Sequence, residues 1–144
     1  WTKRNDYPYG FAKEDVNGLI QLSITNRPQL LENFGKIFGA TETALPSGLG
    51  NWLGAINLEA SAYATTQSLI ALRETDLRSE LSKIKIPTAI FHGVKDKICE
   101  FALAEQMQKG IKNSYIVQFE NSGHGLFIEE LEKFNSELVK FLEK

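Results

Sequence analysis

This 144-residue sequence predicts an α/β fold in two parts: a helical, lid-like stretch over 1–83, then strand–helix–strand–helix over 84–144. Three observations predict it. Thr88–His92 and Tyr115–Phe119 are short, apolar, β-favouring runs, the first stopped by Gly93 and the second by Asn121-Ser122-Gly123. Between them, Glu100–Gly110 carries helix formers and closes on a glycine, and a crossover of that length makes the two strands parallel neighbours. Upstream of Ile84, apolar residues recur at spacings of three and four with no convincing strand.

Taken in order, Trp1–Gly10 is polar and aromatic, broken by Pro8 and Gly10, and reads as an irregular lead-in. Lys13–Thr25 aligns Val16, Leu19, Ile20 and Ile24 on one stripe of an amphipathic helix, ended by Asn26-Arg27. Pro28 opens the next helix where its missing N–H is harmless. Leu30, Leu31, Phe34, Ile37 and Phe38 form that helix's apolar face, and Gly39 closes it. Ala40–Leu45 is a loop, and Ser47 is placed to cap a third helix that should bury Trp52, Leu53 and Ile56. A fourth helix covers Ala60–Leu72, with Tyr63, Leu69, Ile70 and Leu72 as its bulk. Thr75 or Asp76 then caps a short helix with Leu77 and Leu81 inward. After the second strand, Leu131, Phe134, Leu138, Phe141 and Leu142 mark a single helix over Phe127–Leu142, packed on the sheet.

Composition narrows the function. With 42% hydrophobic and 24% charged residues, the chain is ordinary for a globular protein. A net charge of −2 with scattered Lys and Arg offers no footprint for nucleic acid or an anionic membrane. Apolar runs fall far short of the roughly 20 residues a membrane span needs. One cysteine, Cys99, precludes an internal disulfide and fits a reducing compartment, so a cytoplasmic location is expected. The chain starts at Trp1 without a methionine, which reads as processing or as a fragment.

Asp96 and His124 each stand just past the carboxyl end of a strand, on one edge of the sheet. Parallel strands present ligand-handling residues there. Neighbouring strands lie about 4.8 Å apart, so the two loops can bring carboxylate and imidazole into contact. That is the acid and base of a catalytic triad. Glycines flank His124 on both sides and leave the imidazole unhindered. Lys95 and Lys97 beside Asp96 should keep it ionised, although a carboxylate after a strand can also simply cap the next helix. His92, at the strand end, reads as structural, and Cys99 as a buried small hydrophobe rather than a nucleophile. Gly48-Leu-Gly50-Asn-Trp-Leu-Gly54 lacks the spacing of a dinucleotide loop and follows no strand. Two histidines and one cysteine match no metal-ligand pattern, so neither metal nor cofactor is expected. No G-x-S-x-G pentapeptide occurs, so the triad has no nucleophile in this sequence, and a fragment becomes the better reading.

Glu74-Thr-Asp76-Leu77, Leu81, Ile84-Lys-Ile-Pro87, His92-Gly93 and Asp96 together resemble the segment leading into the acid-bearing strand of α/β-hydrolases. Within that superfamily they are similar to the cofactor-free, non-haem chloroperoxidase and arylesterase branch, whose members also show perhydrolase activity. Asp6-Tyr-Pro-Tyr-Gly10 resembles that branch's approach to its helical cap, and Gly123-His-Gly-Leu126 its histidine loop. The resemblance implies a helical cap over 1–83 and the C-terminal part of an α/β-hydrolase core over 84–144. It implies Asp96 as triad acid and His124 as triad base, with the serine, oxyanion hole and earlier strands in an N-terminal half. Relatives commonly carry proline four residues after the acid, where Glu100 stands here, so this loop is expected to lead differently into its helix.

The expected parent activity is hydrolysis of small carboxylic esters through an acyl-enzyme, with perhydrolase or haloperoxidase side activity. Two alternatives stand beside it. One is a sister hydrolase of lactones, C–C bonds, epoxides or haloalkanes; the other is a non-catalytic relative whose cap binds a ligand or partner. Thr88–His92 is left with one strand neighbour and the helices with uncovered faces, so the isolated chain is expected to self-associate.

Overall fold

A computed structural model describes residues 1–143. Its elements are α1 (Lys13–Thr25), α2 (Arg27–Phe38), α3 (Ser47–Glu59), α4 (Ala62–Glu74), α5 (Arg78–Leu81), β1 (Thr88–Gly93), α6 (Phe101–Gly110), β2 (Ser114–Phe119), α7 (Leu126–Glu129) and α8 (Leu131–Leu142).

β1 and β2 pair in parallel, Thr88 opposite Ser114 through Gly93 opposite Phe119. Side chains alternate across the sheet, and both faces are covered, as a parallel pair requires. One face carries Phe91 and Phe119, against which Phe134 of α8 packs at ring separations of 5.5 and 6.3 Å. On the other, α6 lies under both strands and Phe101 meets the His92 ring edge-on at 5.7 Å. Ile90, Val117, Phe119, Ala104 and Ile111 are buried around this crossover.

The upstream helices pack on one another, α1 against α2 and α4, and α2 against α3. Val16, Leu30 and Leu69 are their buried anchors. Asn26 serves two helices: its N–H closes α1 on the Leu22 carbonyl, and its side chain accepts from the Gln29 N–H to cap α2. Arg27 crosses to the end of α3, donating to the Asn57 and Ala60 carbonyls. Trp1–Gly10 is more ordered than its composition suggests, with bridges pairing Thr2 with Phe11 and Arg4 with Tyr7.

Several local readings change, and Leu77 and Tyr63, expected to pack inward, are 61% and 75% exposed. α3 starts at Ser47 itself, without a side-chain cap, and it leaves Trp52 at 60% and Ile56 at 42% exposure. Among the described residues only α2 packs substantially on α3, and no residue of α3 is fully buried. α4 begins two residues later than expected, because the Ser61 hydroxyl accepts from the Ala64 N–H. The terminal helix is broken at Glu130, whose backbone leaves helical geometry. There the carboxylates of Glu129 and Glu130 both turn back onto the preceding loop.

Candidate active site

Asp96 lies at the end of the turn after β1 and is almost fully buried. Its Oδ1 accepts the backbone N–H groups of Ile98 (2.7 Å) and Cys99 (2.9 Å), an Asx turn that fixes the carboxylate plane. Its Oδ2 accepts from Nδ1 of His124 at 2.8 Å. The sequence-derived expectation of carboxylate and imidazole in contact is met by this geometry. Burial pushes the Asp96 carboxyl up. The hydrogen bonds from His124, Cys99 and Ile98 outweigh that and hold it below its ordinary value. The flanking lysines do not account for this; both are exposed.

His124 projects from the loop after β2. Its imidazole is held above the ordinary value by the bond to Asp96, opposed by partial burial. With Nδ1–H committed to the carboxylate, the neutral ring presents Nε2 as the free lone pair. No serine, threonine or cysteine among the described residues hydrogen-bonds to that nitrogen. Phe38, at the end of α2, meets the imidazole edge-on at 5.8 Å.

The pair should leave a pH signature. The raised imidazole stabilises the fold fully below about pH 6.5, its unfolded value, and this is lost as pH rises through the folded value. The depressed carboxyl contributes above about pH 3.9 and is lost as pH falls through its folded value. Both operate between about pH 4 and 6.5. The His124 side chain is 40% exposed, so the effect is screened and should not exceed about 1 kcal/mol. Melting temperature should therefore peak in that window, and Asp96→Asn should flatten the profile. Superimposable profiles would contradict the coupling.

His92 donates from Nε2 to the Cys99 carbonyl at 2.7 Å and stands 3.7 Å from Asp96, bracing the acid turn. The Cys99 thiol is pushed up to about 11 by burial and by the Asp96 charge, which keeps it neutral and disfavours it as nucleophile. Glu100 ties the acid turn to the lead-in segment. Its carboxylate accepts from the Gly10 N–H, while the Trp1 indole donates to the Ile98 carbonyl at 2.8 Å, so the lead-in segment is latched to the acid turn.

Sequence reasoning did not single out Glu129 and Glu130. Glu130 accepts from the Ser122 hydroxyl (2.6 Å) and the Asn121 N–H (3.1 Å); Glu129 accepts from Gly123 (2.8 Å) and Ala40 (2.7 Å). Two adjacent acids at the break between α7 and α8 were the available signal. Among the described residues no group of three His, Cys, Asp or Glu side chains is arranged to hold a metal, and no helix is long and apolar enough to cross a membrane.

A parallel strand pair with helices on both faces, and a carboxylate–imidazole contact beyond its carboxyl ends, fits the C-terminal end of an α/β-hydrolase sheet. The chain belongs to the α/β-hydrolase superfamily and carries the C-terminal part of that fold. Over 141 residues it is 48% identical to the AB hydrolase superfamily protein YisY of Bacillus subtilis, covering 98% of this chain and 52% of that protein. Among solved structures it matches an esterase from Exiguobacterium antarcticum with TM-score 0.94 and 44% identity, over 99% of this chain and 53% of the other. It also matches a bromoperoxidase from Bacillus anthracis with TM-score 0.94 and 27% identity, over 99% and 54%. The chain thus spans about half the length of these relatives. No family model matches it.

Proposed function

We propose that Asp96 and His124 are the acid and base of a serine hydrolase that cleaves small carboxylic esters through an acyl-enzyme. The nucleophile and oxyanion hole would come from polypeptide outside these residues. The observation that carries the reading is the 2.8 Å contact that commits Nδ1 of His124 to a buried carboxylate. In it, His124 Nε2 takes the serine proton during attack, returns it to the leaving alcohol, then activates the water that releases the acid. Asp96 holds the tautomer and stabilises the imidazolium. Hydrogen peroxide in place of that water would yield a peracid, the perhydrolase side activity implied by the resemblance.

Substrate size is read from a groove that shares Phe38 with the His124 ring. Leu31, Phe34, Phe38, Leu45 and Leu53 line about 690 Å³ between α2 and α3. The lining is mainly apolar, with Glu32, Lys36 and Glu42 also on it, and offers a short acyl or alcohol chain an apolar wall. In this reading residues 1–83 form the cap.

The test joins this chain to the complementary half of the Exiguobacterium antarcticum esterase. The chimera should hydrolyse an activated aryl ester, with turnover rising as His124 deprotonates, and His124→Ala should lower kcat by about 10⁴-fold or more. A folded chimera whose turnover ignores that substitution would refute the assignment. The 144-residue chain alone should show no saturable, His124-dependent turnover.

Self-association of the isolated chain belongs to the same proposal. Among the described residues β1 pairs only with β2, and Trp52, Ile56 and Leu58 are exposed on α3. An unpaired strand edge beside apolar surface favours pairing with another copy. Sedimentation at micromolar concentration should give species above 16.2 kDa that grow with concentration. A concentration-independent monomer would sink the idea.

A further inference from the structure

The loop that presents His124 has little to hold it by its own side chains. Of Asn121, Ser122, Gly123 and Gly125, two are glycines, and Asn121 is exposed. What holds it is a set of hydrogen bonds from four directions. The Ser122 carbonyl accepts from the Lys95 N–H at 3.0 Å, tying the loop to the acid turn. The Ser122 hydroxyl and Asn121 N–H reach Glu130. The Gly125 N–H reaches the Phe38 carbonyl at 3.0 Å. The Gly123 N–H reaches Oε2 of Glu129, whose Oε1 simultaneously accepts the Ala40 N–H. Glu129 is therefore the one side chain here whose carboxylate joins the residue before the histidine to the segment leaving α2.

We propose that Glu129 is a positioning residue for His124, setting the histidine loop against the Phe38–Ala40 segment so that the imidazole faces Asp96. The packing agrees with this role. A Cβ on Gly123 would stand 2.5 Å from the Gly39 carbonyl carbon and 2.7 Å from the Ala40 nitrogen, so the two backbones touch directly where Glu129 joins them. α7, which carries Glu129, is a single turn ending in the Glu130 break, and that break frees both acids to point back at the loop. Any displacement of α2 would then be felt at His124 from both sides, through Phe38 onto Gly125 and through Glu129 onto Gly123. A first-rank catalytic group held by a rigid supporting shell follows the general requirement for preorganisation.

The catalytic meaning of the proposal rests on His124 acting as base, but its test does not. The chain has two histidines, so ring-nitrogen NMR of the 144-residue chain resolves His124 against His92. In the native chain the His124 Nδ1 proton should appear at low field, protected from exchange by Asp96. Glu129→Ala should abolish that signal and mix the two neutral tautomers. Glu129→Gln, which keeps one acceptor oxygen, should retain it in weakened form. Ser61→Ala removes the cap of α4, a helix with no hydrogen bond to this loop, and serves as the stability control. A Glu129→Ala chain with an undiminished Nδ1 signal and a melting loss like that of Ser61→Ala would overturn the proposal. If Glu129→Ala does not fold, an undiminished signal in Glu129→Gln overturns it equally. Loss of the Nδ1 signal in Glu129→Ala, alongside a folded chimera that keeps Glu129 and turns over no ester, would support the positioning role while refuting the esterase reading.

Discussion

Asp96→Asn in the esterase chimera should lower kcat by about 10⁴-fold, the scale seen when a triad acid loses its charge but not its shape. The local geometry explains why so small a change should cost so much. Oδ1 faces two backbone N–H donors, from Ile98 and Cys99, and a carboxamide at position 96 must turn its oxygen toward them. Its NH₂ group then faces Nδ1 of His124, which can meet it only as an acceptor. That forces the imidazole proton onto Nε2 and removes the lone pair that a serine hydroxyl needs. The loss should fall on kcat more than on KM, because the fault is in proton transfer rather than substrate binding. Turnover within tenfold of the parent chimera would mean that His124 does not work through Asp96.

Gly93→Ala should be the most damaging single-methyl change to stability near the site. A Cβ there would collide with the Gly123 carbonyl oxygen and stand 2.5 Å from that of Ser122. Both are backbone atoms, so no side chain can swing aside. The strand end and the histidine loop must separate, at a cost of about 1–3 kcal/mol for overpacking. The separation would also strain the Lys95 N–H to Ser122 bond and the carboxylate–imidazole contact that depends on it. Thermal melting should therefore fall, by about 2–4 °C per kcal/mol for a chain of this size. An unchanged midpoint would show that the loop is looser than this packing implies. The same substitution at Gly18, whose Cβ would meet nothing within 4 Å, is the matched control for the chemistry of adding a methyl.

The acid and histidine were legible because each follows a short β-favouring run ended by a glycine-containing turn, and a crossover over 94–113 that carries the ten-residue α6 favours a parallel pairing. That logic needs nothing beyond local pattern and handedness. Helix ends were read less well, for physical reasons that differ case by case. Ser61, not Ala60, sets the start of α4, since a hydroxyl that can accept from an N–H three residues on outranks the apolar pattern. The break at Glu130 was invisible because Phe127–Leu142 keeps its apolar period straight through it. The carboxylates at the break find their partners only in three dimensions. Trp52 and Ile56 were expected inside on periodicity, but periodicity gives a face and not what covers it. Glu129 and Glu130 read as ordinary solvated acids until their partners at positions 40, 121, 122 and 123 came into view.

The latch between the lead-in segment and the acid turn has a consequence for when the site comes into being. The Trp1 indole and the Ile98 carbonyl are 97 residues apart in sequence, Gly10 and Glu100 are 90, and Ala40 and Glu129 are 89. Contacts of such separation require large loops to close before they contribute anything, which is the source of slow folding in chains of high contact order. The α1–α2 corner around Asn26 and the β1–α6–β2 crossover can each organise from neighbours in sequence. The setting of His124 against Asp96 cannot, since it draws on both ends of the chain at once. Maturation of the imidazole–carboxylate pair is thus expected to be a late step in folding, timed by the meeting of residues synthesised far apart.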